Sequence, residues 1–193
     1  YDIVEKARVY KDTSYAVIKV SKTKYLAALG RPFDAMTEIS QAIDSAPNMC
    51  EALNLRANLL INLEKYDEAL VDLNRIIQLD NRDSFGLLNA GFCHLTLRHL
   101  SEADSIYGIL IIHHKYNPNV LSNYGYLKYL QGKSIEGKDM LLKSLKINEL
   151  NSYAYKYLAL IMIEQNVFDE ACFYIEKGIS LGYTEMYGDE LKN

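Results

Sequence analysis

The sequence predicts an all-α protein built as a row of helical hairpins, and three observations lead there. Small residues recur every 34 positions, at Ala35, Ala69, Ala103, Gly137 and Ala171. Each opens a stretch with apolar residues four and eight places on: Ile39/Ile43, Leu73/Ile77, Tyr107/Ile111, Leu141/Leu145 and Ile175/Ile179. That spacing lays the three residues on one stripe of a helix. The composition is also globular, with 49% hydrophobic residues, 24% charged and only 3 Pro among 193, which excludes disorder for the bulk of the chain and leaves room for unbroken helices. A fixed period of this length is the mark of a repeat architecture.

The elements follow from the period. Twelve residues before each small residue stands another, Thr23, Ala57, Gly91, Gly125 and Ala159, and in the last four units Leu53, Leu87, Leu121 and Tyr155 precede it by four. These mark a first helix; the 35/69/103/137/171 series marks a second. Turn-like stretches such as Leu29 to Asp34 and Leu63 to Glu68 lie between them. Small residues facing each other across the pair let the two backbones approach closely. Five units result, 16–49, 50–83, 84–117, 118–151 and 152–183. The first matches least well, with Lys19 and Lys22 where apolar residues are expected and a shifted Pro32-Phe33 turn. Residues 1–15 read as the second helix of a partial preceding unit, through Ile3, Ala7 and Tyr10. Residues 184–193 read as the start of a C-terminal capping helix with Thr184 as its N-cap. The chain opens at Tyr1 without a methionine, so a truncated or processed start is expected.

This pattern resembles the tetratricopeptide repeat (TPR), whose 34-residue helix-turn-helix unit carries a Trp-x2-Leu-Gly-x2-Tyr signature, then Ala-x3-Phe and Pro. Leu121-x2-Tyr124-Gly125 and Leu87-x2-Ala90-Gly91 echo the first part. The departures are the absence of Trp, a terminal proline only at Pro47, and His94 and Lys128 in place of the first-helix tyrosine. The resemblance implies a right-handed superhelical solenoid whose first helices line a concave groove that receives a segment of a partner protein. On this sequence the implied groove residues are Asn54, Asn58, Asn89, Phe92, Asn123, Tyr126, Tyr129 and Lys156. Carboxamides both donate and accept, which suits the backbone of an extended peptide, and aromatic faces supply apolar area. A subset of the family grips a partner's terminal carboxylate with Lys or Arg. Those slots here hold Asn54, Asn119 and Asn123, so that mode is not expected.

Other functions are excluded or disfavoured. With 21 Lys+Arg against 25 Asp+Glu the net charge is -4, the wrong sign for general nucleic-acid binding. No apolar run approaches the roughly 18 residues of a membrane span. Cys50, Cys93 and Cys172 are far apart and lack ligand spacing, so they read as structural thiols in a reducing, cytoplasmic setting. His94, His99, His113 and His114 all fall in the third unit, but none has the i, i+4 pairing of a helical ligand set, so no metal site is expected. There is no phosphate loop, HExxH or nucleophile elbow. The reading is a cofactor-free, non-enzymatic protein–protein interaction module, a scaffold, adaptor or chaperone-like element that binds a protein or peptide. The alternatives are a self-assembling solenoid that forms homo-oligomers through exposed terminal repeats, or a regulatory repeat domain of a larger protein.

Overall fold

A computed structural model describes residues 2–182; the expected capping helix at 184–193 lies outside the described residues. Among the described residues there are ten helices and no strand: α1 (Asp2–Ala28), α2 (Pro32–Ser45), α3 (Cys50–Asn62), α4 (Tyr66–Leu79), α5 (Ser84–Thr96), α6 (Leu100–His113), α7 (Pro118–Leu130), α8 (Ser134–Ile147), α9 (Ser152–Glu164) and α10 (Phe168–Ser180). From α3 onward, first helices start at Cys50, Ser84, Pro118 and Ser152, one period apart.

α1 departs from the expected boundary at residue 16. The helix runs through it without a turn, because residues 11–20 contain neither Gly nor Pro to stop it. The side chains of Ile3, Ala7 and Tyr10, on which that expectation rested, lie outside the described side chains. The two unexpected lysines of this helix are also accounted for: Lys19 and Lys22 both pair with Glu38 on α2, at 2.7 and 2.6 Å.

The chain divides into two compact units, residues 1–93 and 94–193. In the first, α1 packs on α2 and α3, α2 on α3, and α3 on α4. Its core holds Val20, Leu26, Ile39, Leu53, Leu60, Leu73 and Ile76, with Thr23, Ala35, Ala57 and Ala69 fully buried. Buried Asp72 on α4 takes a two-pronged ion pair from Arg56 on α3, at 2.7 and 2.6 Å. A carboxylate without surface tolerates that position only when so paired.

In the second unit α7 packs on α6, α8 and α9, α8 on α9, and α9 on α10. Here the close approach of small residues is sharpest. A Cβ on Gly125 would lie 2.8 Å from the Gly137 carbonyl oxygen, and one on Gly137 would lie 2.5 Å from that of Gly125. Lys128, buried in place of the family's tyrosine, reaches Asp104 at 2.7 Å and lies over the Tyr124 ring. Asn151 caps α9 and its Nδ2 donates to Ser144 Oγ (2.8 Å), the Pro118 carbonyl (3.1 Å) and Ser122 Oγ (3.3 Å), locking the α8–α9 loop to the start of α7.

The turns repeat as well. Gly30, Glu64, Arg98, Gly132 and Asn166, one period apart, all have positive φ, between 59° and 82°. Each ends a first helix, and the next residue's N–H donates back to a carbonyl five places earlier, as Lys65 does to Leu60 at 2.8 Å and Lys133 to Lys128 at 2.9 Å. This left-handed cap satisfies the otherwise orphaned carbonyls of the helix end.

Candidate partner-binding faces

In the first unit the groove residues of the sequence reading sit on α3 and α5. Asn54 and Asn58 are one turn apart on α3, and Asn89 and Phe92 lie on α5. Asn89 Nδ2 donates to Asn58 Oδ1 at 3.0 Å, tying the two first helices together at an exposed point. Phe92 meets Tyr66 of α4 edge to face, with centroids 6.2 Å apart. Asn54 Oδ1 is enclosed, with no hydrogen-bond donor among the described residues. Asn58 is exposed, and Asn54, Asn89 and Phe92 are half-buried.

In the second unit the corresponding residues sit on α7 and α9, and they form an aromatic stack. Tyr126 lies parallel to Tyr157 at a centroid distance of 4.3 Å and nearly parallel to Tyr129 at 6.5 Å. Tyr153 tilts against Tyr157 at 6.2 Å. Hydrogen bonds pin two of the rings: Tyr157 OH donates to Asn123 Oδ1 at 3.0 Å, and Tyr129 OH donates to Glu164 Oε2 at 2.8 Å. Burial, helped by the bond to Glu164, pushes the Tyr129 phenol up to about 12. Asn123 is 6% exposed and Tyr126 8%. The Asn123 oxygen therefore holds Tyr157 in place, and Tyr126 is an inner layer of the stack. Tyr129 and Tyr153 are the half-buried members of the stack, and Lys156 on α9 is half-buried as well.

The sequence-derived residues thus fall in two sets, one on α3 and α5 and one on α7 and α9. Two partners escaped the sequence reading. Tyr66 belongs to a second helix, outside the pattern used to choose groove positions, and Glu164 sits at the last residue of α9, one place beyond the position equivalent to Tyr129. Neither residue type nor spacing marks them.

Among the described residues no three His, Cys, Asp or Glu side chains converge as a metal-ligand group. No helix of the described residues is long and apolar enough to cross a membrane. No family model and no curated protein matches this sequence. Solved structures do match in shape: a tetratricopeptide repeat protein from Parabacteroides merdae (TM-score 0.75, 20% identity, 91% of this chain and 69% of that one) and TTC0263, a thermophilic protein of the same repeat class from Thermus thermophilus (TM-score 0.72, 19%, 92% and 94%). The chain has the tetratricopeptide-repeat fold. YrrB, described as a TPR protein with an unusual peptide-binding site, also matches (TM-score 0.62, 12%, 92% and 91%). At these identities the likeness is one of TPR architecture: helical hairpins of 34 residues with small residues at their crossings.

Proposed function

We propose that this TPR chain is a protein–protein interaction module that takes an extended segment of a partner on its first-helix faces. The observation that carries the reading is the tyrosine stack of α7 and α9. It has several aromatic rings in register, pinned by Asn123 and Glu164, and its half-buried members Tyr129 and Tyr153 offer apolar area at little ordering cost. On α3 and α5, Asn58, Asn89 and Phe92 supply the polar and aromatic contacts of a second face, with Asn54 behind them. Asn123 and Tyr126 act from beneath, as supports. The peptide-binding site that the description of YrrB mentions belongs to a chain of the same fold, which favours the same use here.

The test is selection of a binding peptide from a displayed library, followed by calorimetry on variants whose melting is checked in parallel. Tyr129→Ala should weaken binding by about 2 kcal/mol, the scale of an aromatic hot spot. Asn58→Ala or Asn89→Ala should cost about 1 kcal/mol, the net worth of one hydrogen bond. Binding should depend weakly on salt, since few charges take part. Binding that survives these changes but falls when Lys138, Lys143 and Lys146 are reversed in charge would place the site on α8 and overturn the proposal.

A further inference from the structure

The third repeat holds all four histidines of the chain, and two of them meet across the corner between its helices. His94 lies in the last turn of α5 and His99 is the N-cap residue of α6. Arg98 takes a φ of 62°, and the His99 N–H donates to the His94 carbonyl at 2.8 Å, which closes the turn. A second link joins the same two residues: their Nδ1 atoms lie 3.4 Å apart in a ring-to-ring hydrogen bond, with the planes inclined at 48°. Such a bond needs one Nδ1 that carries hydrogen and one that offers a lone pair. It therefore exists only in some protonation states of the pair.

We propose that His94 and His99 form a proton-operated latch on the α5–α6 corner, closed while a single hydrogen lies between the two Nδ1 atoms and open when each carries its own. The first proton taken up by the pair leaves one lone pair between the rings, so the bond survives and becomes charge-assisted. The second proton removes that lone pair and sets two imidazolium ions against each other, so the rings must part. They have room to do so, since His99 is exposed and His94 half-buried. Burial holds the pKa of His94 below its ordinary value; Glu102, in the first turn of α6, raises it and His99 lowers it again. Exposed Arg98, in the turn itself, makes the corner more cationic and a second charge there more costly. A lowered folded-state pKa means that folding favours neutral His94. This contribution is complete above the unfolded value of about 6.5 and is lost as pH falls through the folded one. The latch thus opens in mildly acid solution, and opening loosens the last turn of α5, the helix that also carries Asn89 and Phe92.

Nuclear magnetic resonance of the folded chain, from about pH 7.5 to 4.5, reads both the rings and the corner. The Hε1 resonance of His94 should titrate below about 6.5, and its midpoint should rise by several tenths of a unit in His99→Ala, which removes the opposing charge. Protection of the residue-99 amide against hydrogen exchange, corrected for the intrinsic rate, reports whether the corner is shut. It should fall several-fold between about pH 7 and 5 in wild type, and in His99→Ala it should be lower but level across that range. His94→Gln should give the same level profile, and His113→Gln with His114→Gln should follow wild type. His99→Ala is the decisive variant if His94→Gln folds poorly, because His99 is exposed and its side chain makes no capping bond to α6. A His94 midpoint unmoved by His99→Ala, or wild-type protection that stays level as acid is added, overturns the proposal and leaves the ring contact a passive one.

Discussion

Replacing Gly137 by Ala would ordinarily stabilise a helix, by up to about 1 kcal/mol, because Gly carries the largest backbone entropy cost. Here the sign should reverse. The added methyl would lie 2.5 Å from the Gly125 carbonyl oxygen, 2.8 Å from the Tyr129 backbone nitrogen and 3.1 Å from the Tyr129 Cβ. Backbone atoms cannot swing away as a side chain can, so α7 and α8 must part by several tenths of an ångström along a contact that is packed throughout. Overpacking of this kind costs about 1–3 kcal/mol, which offsets the propensity gain and leaves a net loss of up to about 2 kcal/mol. Gly108 on α6 is the control, since beyond its chain neighbours and its own helix backbone no heavy atom of the described residues lies within 4 Å of a Cβ built there. Gly108→Ala should therefore show the ordinary gain of about 0.5–1 kcal/mol. Urea unfolding of the two variants beside wild type, followed by far-ultraviolet circular dichroism, reads both signs, with a thermal shift of about 2–4 °C per kcal/mol for a chain of this size. A Gly137→Ala protein as stable as wild type would refute the close backbone crossing on which the repeat alignment rests.

Two further outcomes follow from the turns and the core. Glu64 and Arg98 hold left-handed backbone, with φ of 59° and 62°, that Gly30 and Gly132 adopt without penalty in the equivalent turns. Glu64→Gly or Arg98→Gly should raise stability by up to about 1 kcal/mol, and Gly132→Ala should lower it by a similar amount, both read from urea midpoints. Burial pushes the Cys93 thiol up to about 12. A folded-state pKa raised above the unfolded value means that the neutral thiol is favoured by folding, so this stability is complete below the unfolded value of about 8.5 and is lost as pH rises toward 12. Midpoints measured from pH 8 to 11 should fall more steeply in wild type than in Cys93→Ala; parallel slopes would show that the thiol is not sealed in the folded protein.

The repeat was legible in the sequence because its signals are local. Small residues at Ala57 and Ala69, or at Gly125 and Gly137, set where two helices can touch, and the apolar places four and eight further on set which face turns inward; a helix converts such spacings into geometry within a few turns. The continuity of α1 was not legible, since the weak match of the first unit hid the absence of any stop signal between its two expected segments. The partners of the polar side chains were not legible either. Lys19 and Lys22 find Glu38, Arg56 finds Asp72, Lys128 finds Asp104, and Asn123 takes the hydroxyl of Tyr157. These partners lie 16 to 34 residues apart, on helices whose mutual rotation is decided by packing. The same holds for the candidate faces: residue type and repeat position marked Asn123 and Tyr126, but the stacking of α7 on α9 made them supports and left Tyr129 and Lys156 toward the surface. His94 and His99 are the clearest case. Their spacing means nothing on one helix, and the left-handed turn at Arg98, which residue type does not announce, brings their Nδ1 atoms to 3.4 Å.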